Sequence, residues 1–140
     1  MIFEKILDKI EPVPYLTLSH DCPLKRASDQ ATGRPDARGM YVVDAGRRLS
    51  GYLSLGVLIR HAIAARHKSH LHVRSLLTIL TAETVADIME PNIVYARPMD
   101  TLERVLDQML TRNMKQVPIV NAHRNIVSTA GILDIWKWMH

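Results

Sequence analysis

The stretch Lys115-Gln116-Val117-Pro118-Ile119-Val120-Asn121 decides the fold that this sequence predicts. Its four consecutive apolar residues, bounded by polar ones, indicate a short buried strand. Residues 121–125 then supply a polar turn, and residues 126–130 form a second β-prone run. The pattern therefore predicts a β-hairpin.

Helical patterns lie on both sides of this hairpin. Before it, one apolar helix face is formed by Leu102, Val105, Leu106, Met109 and Leu110. Asp100 is the predicted N-cap of this helix, with Glu103 three residues later. Residues 93–96 are predicted to be extended and to stop before Pro98, and a last helix begins near Leu133.

The first half of the sequence repeats this order of elements less clearly. The pattern predicts a strand at 15–19, a short helix after Cys22-Pro23-Leu24, strands at 40–43 and 49–55, and a helix at 56–66. Leu24 matches Leu102 at an offset of 78 residues, and Val43-Asp44 matches Val120-Asn121 at an offset of 77. We therefore expect two units of strand, helix, strand, strand and helix that bury their sheet faces against each other.

A separate apolar pattern opens the chain. It consists of Ile2, Phe3, Ile6, Leu7 and Ile10. The spacing predicts a short amphipathic helix over residues 1–11, ended by Pro12 and Pro14. We expect this helix to pack on its own chain, with docking on a partner or a membrane surface as the alternative. The predicted divisions are then residues 12–66 for the first repeat, 67–83 for a linker and 84–140 for the second repeat.

Composition excludes several classes of protein. Apolar residues make up 47% of the 140 residues, which excludes a disordered chain. Cys22 is the only cysteine, so no disulfide can form within the chain. No apolar stretch approaches the length of a membrane span, and the first residues lack the pattern of a signal peptide. We expect a soluble, cytoplasmic chain whose net charge of +4 suits anionic ligands and argues only weakly for nucleic acid.

Residues 12–140 resemble a tandem pair of CBS domains, the arrangement called a Bateman module. In the second half the resemblance rests on the order and spacing of Val85-Ala86-Asp87-Ile88-Met89, residues 98–102, residues 115–121 and Asp134-Ile135-Trp136. The first half is a weaker match, carried by residues 41–44, Gly46-Arg47 and residues 49–55. That half is similar to the CBS pairs of magnesium-channel proteins. The resemblance implies an α+β fold with two βαββα repeats packed as a pseudo-twofold pair.

The resemblance also implies that an adenosine nucleotide binds in the cleft between the repeats. In the family, an acid at the start of the last helix of a repeat binds the ribose, and Asp134 stands at that position, thirteen residues after Asn121. The same count from Asp44 reaches Val57, which cannot accept hydrogen bonds, so at most one site of the usual kind is expected. Gly131 replaces the usual Ser or Thr and leaves a backbone N–H that a ligand can approach.

Further site residues follow from the same resemblance. The adenine is expected to lie against Val94, Tyr95, Ala96, Val117 and Pro118. The expected phosphate partners are Arg97, Lys115 and Lys137. The divergent site of the first repeat keeps Thr17 and Ser54 beside Val57, with His20 in place of the proline equivalent to Pro98. The ligand would be AMP, ADP, ATP or an S-adenosyl compound, and no cofactor is required.

Each of these residues has a structural alternative. For Asp134 the alternative is a helix cap with no ligand-binding role, and for Arg97, Lys115 and Lys137 it is a solvated surface charge. His61, His67, His70 and His72 form a basic linker, and their spacing is poor for a metal site, so we predict none. A helix start can lower the pKa of the Cys22 thiol, but no catalytic partner accompanies it.

The leading hypothesis is a regulatory module that senses an adenosine nucleotide and transmits a conformational signal. We expect no enzymatic activity, because no nucleophile is paired with a base. CBS pairs commonly dimerise, so the resemblance implies a homodimer that regulates an attached or associated transporter, channel or enzyme. The alternative is a scaffold that binds no ligand and docks through Trp138 and the N-terminal helix. Of Trp136 and Trp138, we expect one in the core and one at an interface, and nucleic-acid binding is the least favoured function.

Overall fold

The computed structural model describes residues 1–37, 39–66 and 83–139. Most of the predicted linker lies outside the described residues, together with three members of the histidine cluster, His67, His70 and His72. Within the described ranges, no helix is both long enough and apolar enough to cross a bilayer.

The first repeat has all five predicted elements. They are β1 (Tyr15–Ser19), α1 (Leu24–Gly33), β2 (Gly39–Val43), β3 (Leu49–Tyr52) and α2 (Leu55–Arg66). β1 pairs with β2 in parallel, and β2 pairs with β3 in antiparallel orientation. β3 ends three residues before the predicted boundary, because Ser54 caps α2 by accepting a hydrogen bond of 3.1 Å from the N–H of Val57.

The second repeat lacks a complete first strand. Its elements are α3 (Leu102–Thr111), β4 (Gln116–Val120), β5 (Ile126–Gly131) and α4 (Ile132–Met139). The predicted extended segment 93–96 forms a single parallel bridge, between Ala96 and Ile119. The buried side chains of Val94 and Ala96 hold this segment against the core, so packing fixes it with little help from a hydrogen-bonded ladder.

The predicted N-cap of α3 is wrong by one residue. Thr101 caps the helix, and its Oγ1 accepts a hydrogen bond of 3.2 Å from the N–H of Arg104. The carboxylate of Asp100 instead accepts from the N–H of Arg97 at 2.9 Å and so closes the preceding turn. Both side chains can cap a helix, and the turn at Pro98 uses Asp100 first.

The N-terminal amphipathic helix is also predicted wrongly. Only a short 3₁₀ helix, Phe3–Lys5, forms there. The backbone N–H groups of Phe3 and Glu4 donate to the carbonyls of Asp100 and Pro98 at 3.0 and 2.8 Å, so contacts with the second repeat fix this segment. Its apolar residues Phe3, Ile6 and Ile10 are buried in the core of that repeat.

The segment before the second repeat docks in the same way on the first repeat. It forms the 3₁₀ helix Val85–Asp87, and the N–H groups of Val85 and Ala86 donate to the carbonyls of Cys22 and His20, both at 2.9 Å. Val85 is fully buried in the core of the first repeat. The two repeats therefore exchange their lead-in segments.

The two hairpins also match and touch. Arg47 and Arg124 both have a positive φ, of 64° and 63°, at equivalent places in the two turns. The N–H of Leu49 donates to the carbonyl of Arg124 at 2.9 Å, and the Arg124 guanidinium donates back to the carbonyl of Leu49 at 3.0 Å. A third core cluster of Tyr41, Leu49 and Val120 lies at this junction. The paired repeats predicted from sequence are therefore present.

Candidate functional site

A cavity of about 830 Å³ lies between the two repeats. Val13, Tyr52 and Ser54 of the first half line it, together with a larger set of residues from the second repeat. This volume falls in the range of small-molecule sites. Because both halves contribute walls, a bound molecule would contact both repeats at once.

Cationic and polar groups from the second repeat face this cavity. Lys115 and Arg112 supply positive charge, and Asn92, Asn113 and Glu90 supply hydrogen-bonding groups. The opposite side presents the ring and hydroxyl of Tyr52, whose pKa is raised by burial. The cavity therefore offers cationic groups that can pair with an anion, together with apolar and aromatic surface.

Asp134 occupies the first turn of α4, where a carboxylate also interacts favourably with the helix dipole. Its side chain is half-buried, and among the described residues it has no hydrogen-bond or ion-pair partner. Asp134 does not line the cavity between the repeats. It is nonetheless close to it in the fold, because the N–H of Ile132 donates to the carbonyl of Lys115 at 2.8 Å.

Gly131 pairs with Gln116 at the edge of the β4–β5 hairpin. A Cβ atom at this glycine would lie 3.5 Å from the side chain of Val13, which is an ordinary contact. The position therefore tolerates a side chain, and the glycine is not required by packing.

The residues expected around adenine are brought together, but most are core residues. Val94, Ala96, Val117 and Pro118 are buried. Only the half-buried Tyr95 offers a side chain: its hydroxyl accepts a hydrogen bond of 3.0 Å from Arg97, and its ring faces the guanidinium groups of Arg97 and Arg124 at 5.4 and 5.5 Å.

The other predicted site residues are dispersed. Of the predicted phosphate partners, Lys115 lines the cleft, whereas Lys137 lies on α4 with its ammonium 5.9 Å from the Trp138 ring. In the divergent site, Ser54 lines the cleft, Thr17 is exposed on β1, and Val57 packs against the core of the first repeat.

Sequence reasoning missed several residues of the cleft, among them Tyr52, Glu90, Arg112 and Gln116. The Gln116 Nε2 and the Tyr41 hydroxyl are both buried without a hydrogen-bond partner, and both lie close to Gly39. The Gln116 amide lies near enough to oppose slightly the rise in the Tyr41 pKa that burial causes, although no hydrogen bond forms. One sequence signal existed: Gly39 opens β2, and a Cβ there would collide with the Gln116 amide.

Two further expectations have structural outcomes. Burial raises the pKa of the Cys22 thiol, so the expectation of a lowered value at a helix start is wrong. Trp138 packs against the core of the second repeat, with the Lys9 ammonium over its ring. Trp136 is 50% exposed, so Trp136 rather than Trp138 is the ring at the surface. In the described ranges, no three His, Cys, Asp or Glu side chains are grouped as a metal site would require.

Comparison with known proteins identifies the second repeat and the fold. Residues 85–135 match the family model of the CBS domain. No curated protein matches the chain in sequence.

Solved structures resemble the whole chain. The cytosolic domain of the Mg²⁺ channel MgtE, in complex with ATP, has a TM-score of 0.66 and 24% identity over 92% of this chain, which spans only 46% of that one. CBSX2 in complex with AMP has a TM-score of 0.69 and 16% identity, covering 99% of this chain and 95% of CBSX2. The CBS domain pair of protein MJ0100, in complex with methylthioadenosine and S-adenosyl-L-methionine, has a TM-score of 0.64 and 18% identity, with both chains covered completely. Residues 85–135 are a CBS domain, and the chain as a whole has the fold of a tandem CBS pair.

Proposed function

We propose that this chain is a regulatory module that binds an adenosine nucleotide in the cleft between its repeats. The observation that carries the proposal is the cavity of about 830 Å³ whose walls come from both repeats and whose second-repeat side carries Lys115 and Arg112. The ligands of the similar solved structures, which are ATP, AMP, methylthioadenosine and S-adenosyl-L-methionine, support an adenosine ligand.

In this proposal Asp134 binds the ribose and Lys115 binds phosphate. The unpaired carboxylate of Asp134 can accept hydrogen bonds from two hydroxyl groups. Its helix begins at Ile132, which is hydrogen-bonded to the backbone of Lys115. A nucleotide whose phosphate meets Lys115 would therefore have its ribose near the start of the same helix.

The module has no chemistry of its own in this proposal and acts by a population shift. A ligand that contacts both walls of the cleft favours one relative arrangement of the repeats, by no more than its difference in affinity for the two arrangements. An attached or associated transporter, channel or enzyme would respond to that arrangement.

We also propose that the module forms a homodimer through its helices. Leu55, Ile59 and Ile63 are spaced four residues apart along α2 and are 55%, 46% and 52% exposed. Leu133 on α4 is 77% exposed. An apolar stripe of this kind on a surface helix is typical of an interface. Sedimentation of the wild type against Ile59→Lys tests the dimer, with Val127→Lys on β5 as the control.

The nucleotide proposal is tested by thermal shift and calorimetry with AMP, ADP, ATP and S-adenosylmethionine. A ligand at 100 times its Kd adds about 2.7 kcal/mol to the free energy of unfolding. Asp134→Asn should weaken binding at least tenfold, whereas Asp8→Asn, at an exposed acid of the N-terminal segment, should not. Unchanged affinity in Asp134→Asn would refute the ribose assignment, and a flat screen would refute nucleotide sensing.

The second candidate function is a scaffold that binds no ligand. It is favoured by Val57, which packs into the core where the family has an acid, and by the absence of Asp134 from the lining of the cleft cavity. A flat ligand screen together with dimerisation that Ile59→Lys abolishes would support this function.

A further inference from the structure

A second cavity, of about 400 Å³, lies between α3 and residues 93–97. Three arginines line it, Arg97, Arg104 and Arg112. In the part of the chain that the structure describes, ion pairs join Arg34 to Asp36 and Arg48 to Asp44. None of the three arginines is therefore neutralised by a direct ion pair, and we call this cavity the arginine groove.

The arginine groove continues from the cleft between the repeats. Ile93 and Arg112 line both cavities. The Arg112 guanidinium donates a hydrogen bond of 2.7 Å to the carbonyl of Asn92, which holds it at the junction. A molecule that starts at Lys115 in the cleft can therefore extend past Arg112 into the groove.

The remaining two arginines are placed to continue this path. Arg104 lies on α3 and Arg112 is the C-cap of that helix, eight residues later, which corresponds to about 12 Å along a helix. Arg97 is held at the other wall by the hydroxyl and ring of Tyr95. Guanidinium groups form bidentate, charge-assisted hydrogen bonds with phosphate, so a row of them suits a chain of phosphate groups better than a single one.

We propose that the arginine groove binds the outer phosphates of a nucleoside di- or triphosphate whose adenosine occupies the cleft. This inference rests on the proposed nucleotide binding and adds the class of ligand. It favours ATP and ADP over AMP and over S-adenosyl compounds, which have no phosphate chain to place there.

Two carboxylates also line the groove, and their effect on phosphate binding gives a further test of the proposal. Asp100 accepts a hydrogen bond from the N–H of Arg97 and so belongs to the turn. Asp107 is exposed and faces the same groove. Removing its charge should strengthen the binding of a polyphosphate, whereas removing an arginine charge should weaken it.

The first repeat provides a matched control. On α1 and at its C-cap, Arg26, Asp29, Gln30 and Arg34 match Arg104, Asp107, Gln108 and Arg112 at an offset of 78 residues. The surroundings differ, because Arg34 is paired with Asp36 at 3.3 Å and Ser19 stands at the position equivalent to Arg97. Arg26 and Arg104 are both exposed, so the same substitution on α1 removes an equal charge from the surface of a helix without touching the groove.

The test measures Kd by calorimetry for AMP and ATP, each with magnesium, in the wild type, Arg104→Gln, Asp107→Asn and the control Arg26→Gln. We expect the wild type to bind ATP at least tenfold more tightly than AMP. Arg104→Gln should weaken ATP binding about tenfold, which is 1.4 kcal/mol, and change AMP binding less than twofold. Asp107→Asn should strengthen ATP binding severalfold, and Arg26→Gln should change neither affinity.

The outcomes separate this inference from the proposed function. If AMP and ATP bind equally tightly, or if Arg104→Gln and Arg26→Gln have the same effect, the groove is refuted and nucleotide binding in the cleft stands. If neither nucleotide binds to the folded wild type, both proposals fail. A loss of AMP binding in Arg104→Gln would show that Arg104 contacts the first phosphate, and this result would also overturn the inference.

Discussion

Asp44 and Asn121 occupy the same place in the two hairpins and accept equivalent hydrogen bonds from two backbone N–H groups. The Asp44 carboxylate accepts hydrogen bonds from the N–H groups of Gly46 and Arg48, both at 2.9 Å. The Asn121 side-chain oxygen accepts from those of His123 and Asn125, at 2.9 and 3.0 Å. The same pattern of hydrogen bonds thus closes both turns, with a charged acceptor in the first and a neutral acceptor in the second.

This difference predicts how acid affects the first turn. The N–H of Arg48, and to a smaller extent that of Gly46, lowers the pKa of Asp44 from its ordinary value of 3.8. Because the pKa is lower in the folded state, the stabilisation is present above about pH 4 and is lost as the pH falls through the folded value. Asp44→Asn should keep the turn and should lose less stability than the wild type as the pH falls from about 5 to about 3. Thermal melts at steps of about 1 pH unit would measure this difference.

The reverse change is the matched control for this residue. Asn121→Asp should add a similar loss of stability in acid to the second turn. Parallel melting curves for the wild type and Asp44→Asn across this pH range would show that the Asp44 pKa is not lowered by folding.

At the scale of elements, two hydroxyl groups cap the starts of helices. Thr101 caps α3, and Ser54 caps α2 through the N–H of Val57. The family resemblance assigns the Ser54 position to phosphate binding, but its oxygen already accepts a backbone hydrogen bond here. In α4 the equivalent residue is Gly131, and the first turn instead carries the carboxylate of Asp134.

We predict that Ser54→Ala lowers the free energy of unfolding by about 1 kcal/mol, because the N–H of Val57 loses its partner. Urea unfolding measures this change, and Ser54→Asp should keep most of the stability by capping the helix in the same way. A Ser54→Ala variant as stable as the wild type would contradict the capping role.

At the scale of the whole molecule, the exchange of lead-in segments makes each repeat depend on the other. The N-terminal segment completes the core of the second repeat, and the segment 84–89 completes the core of the first. The carbonyl of Met1 accepts from the N–H of Leu102, and that of Glu83 accepts from Leu24. We infer that the repeats unfold as one cooperative unit.

The buried ring of Phe3 gives a test of this dependence. Phe3 is 0% exposed, and Phe3→Ala should cost about 3–5 kcal/mol, since the cavity would open in the core of the second repeat. Both repeats should unfold in a single transition at lower urea, as followed by circular dichroism and tryptophan fluorescence together. Phe3→Leu should cost less, and a second repeat that kept wild-type stability in Phe3→Ala would contradict the exchange.

The sequence by itself determined the order of the elements and the repeat, because apolar periodicity and turn residues act over a few positions of the chain. The strands β1, β2, β4 and β5 and the four helices of the described residues follow from such local patterns. It failed at residues 1–11, where the N–H groups of Phe3 and Glu4 donate to Asp100 and Pro98, far along the chain. The extended segment 93–96 forms only one bridge, between Ala96 and Ile119, instead of a full strand.

Only the tertiary structure decided how the two repeats meet and where a ligand can fit. The Thr129 hydroxyl donates to the carbonyl of Val13, 116 residues away, and the Asn125 amide donates to the carbonyl of Arg47, 78 residues away. The cleft and the arginine groove are shaped by contacts of this kind. No local pattern encodes them, because the free energy of such contacts depends on the packing of both repeats at once.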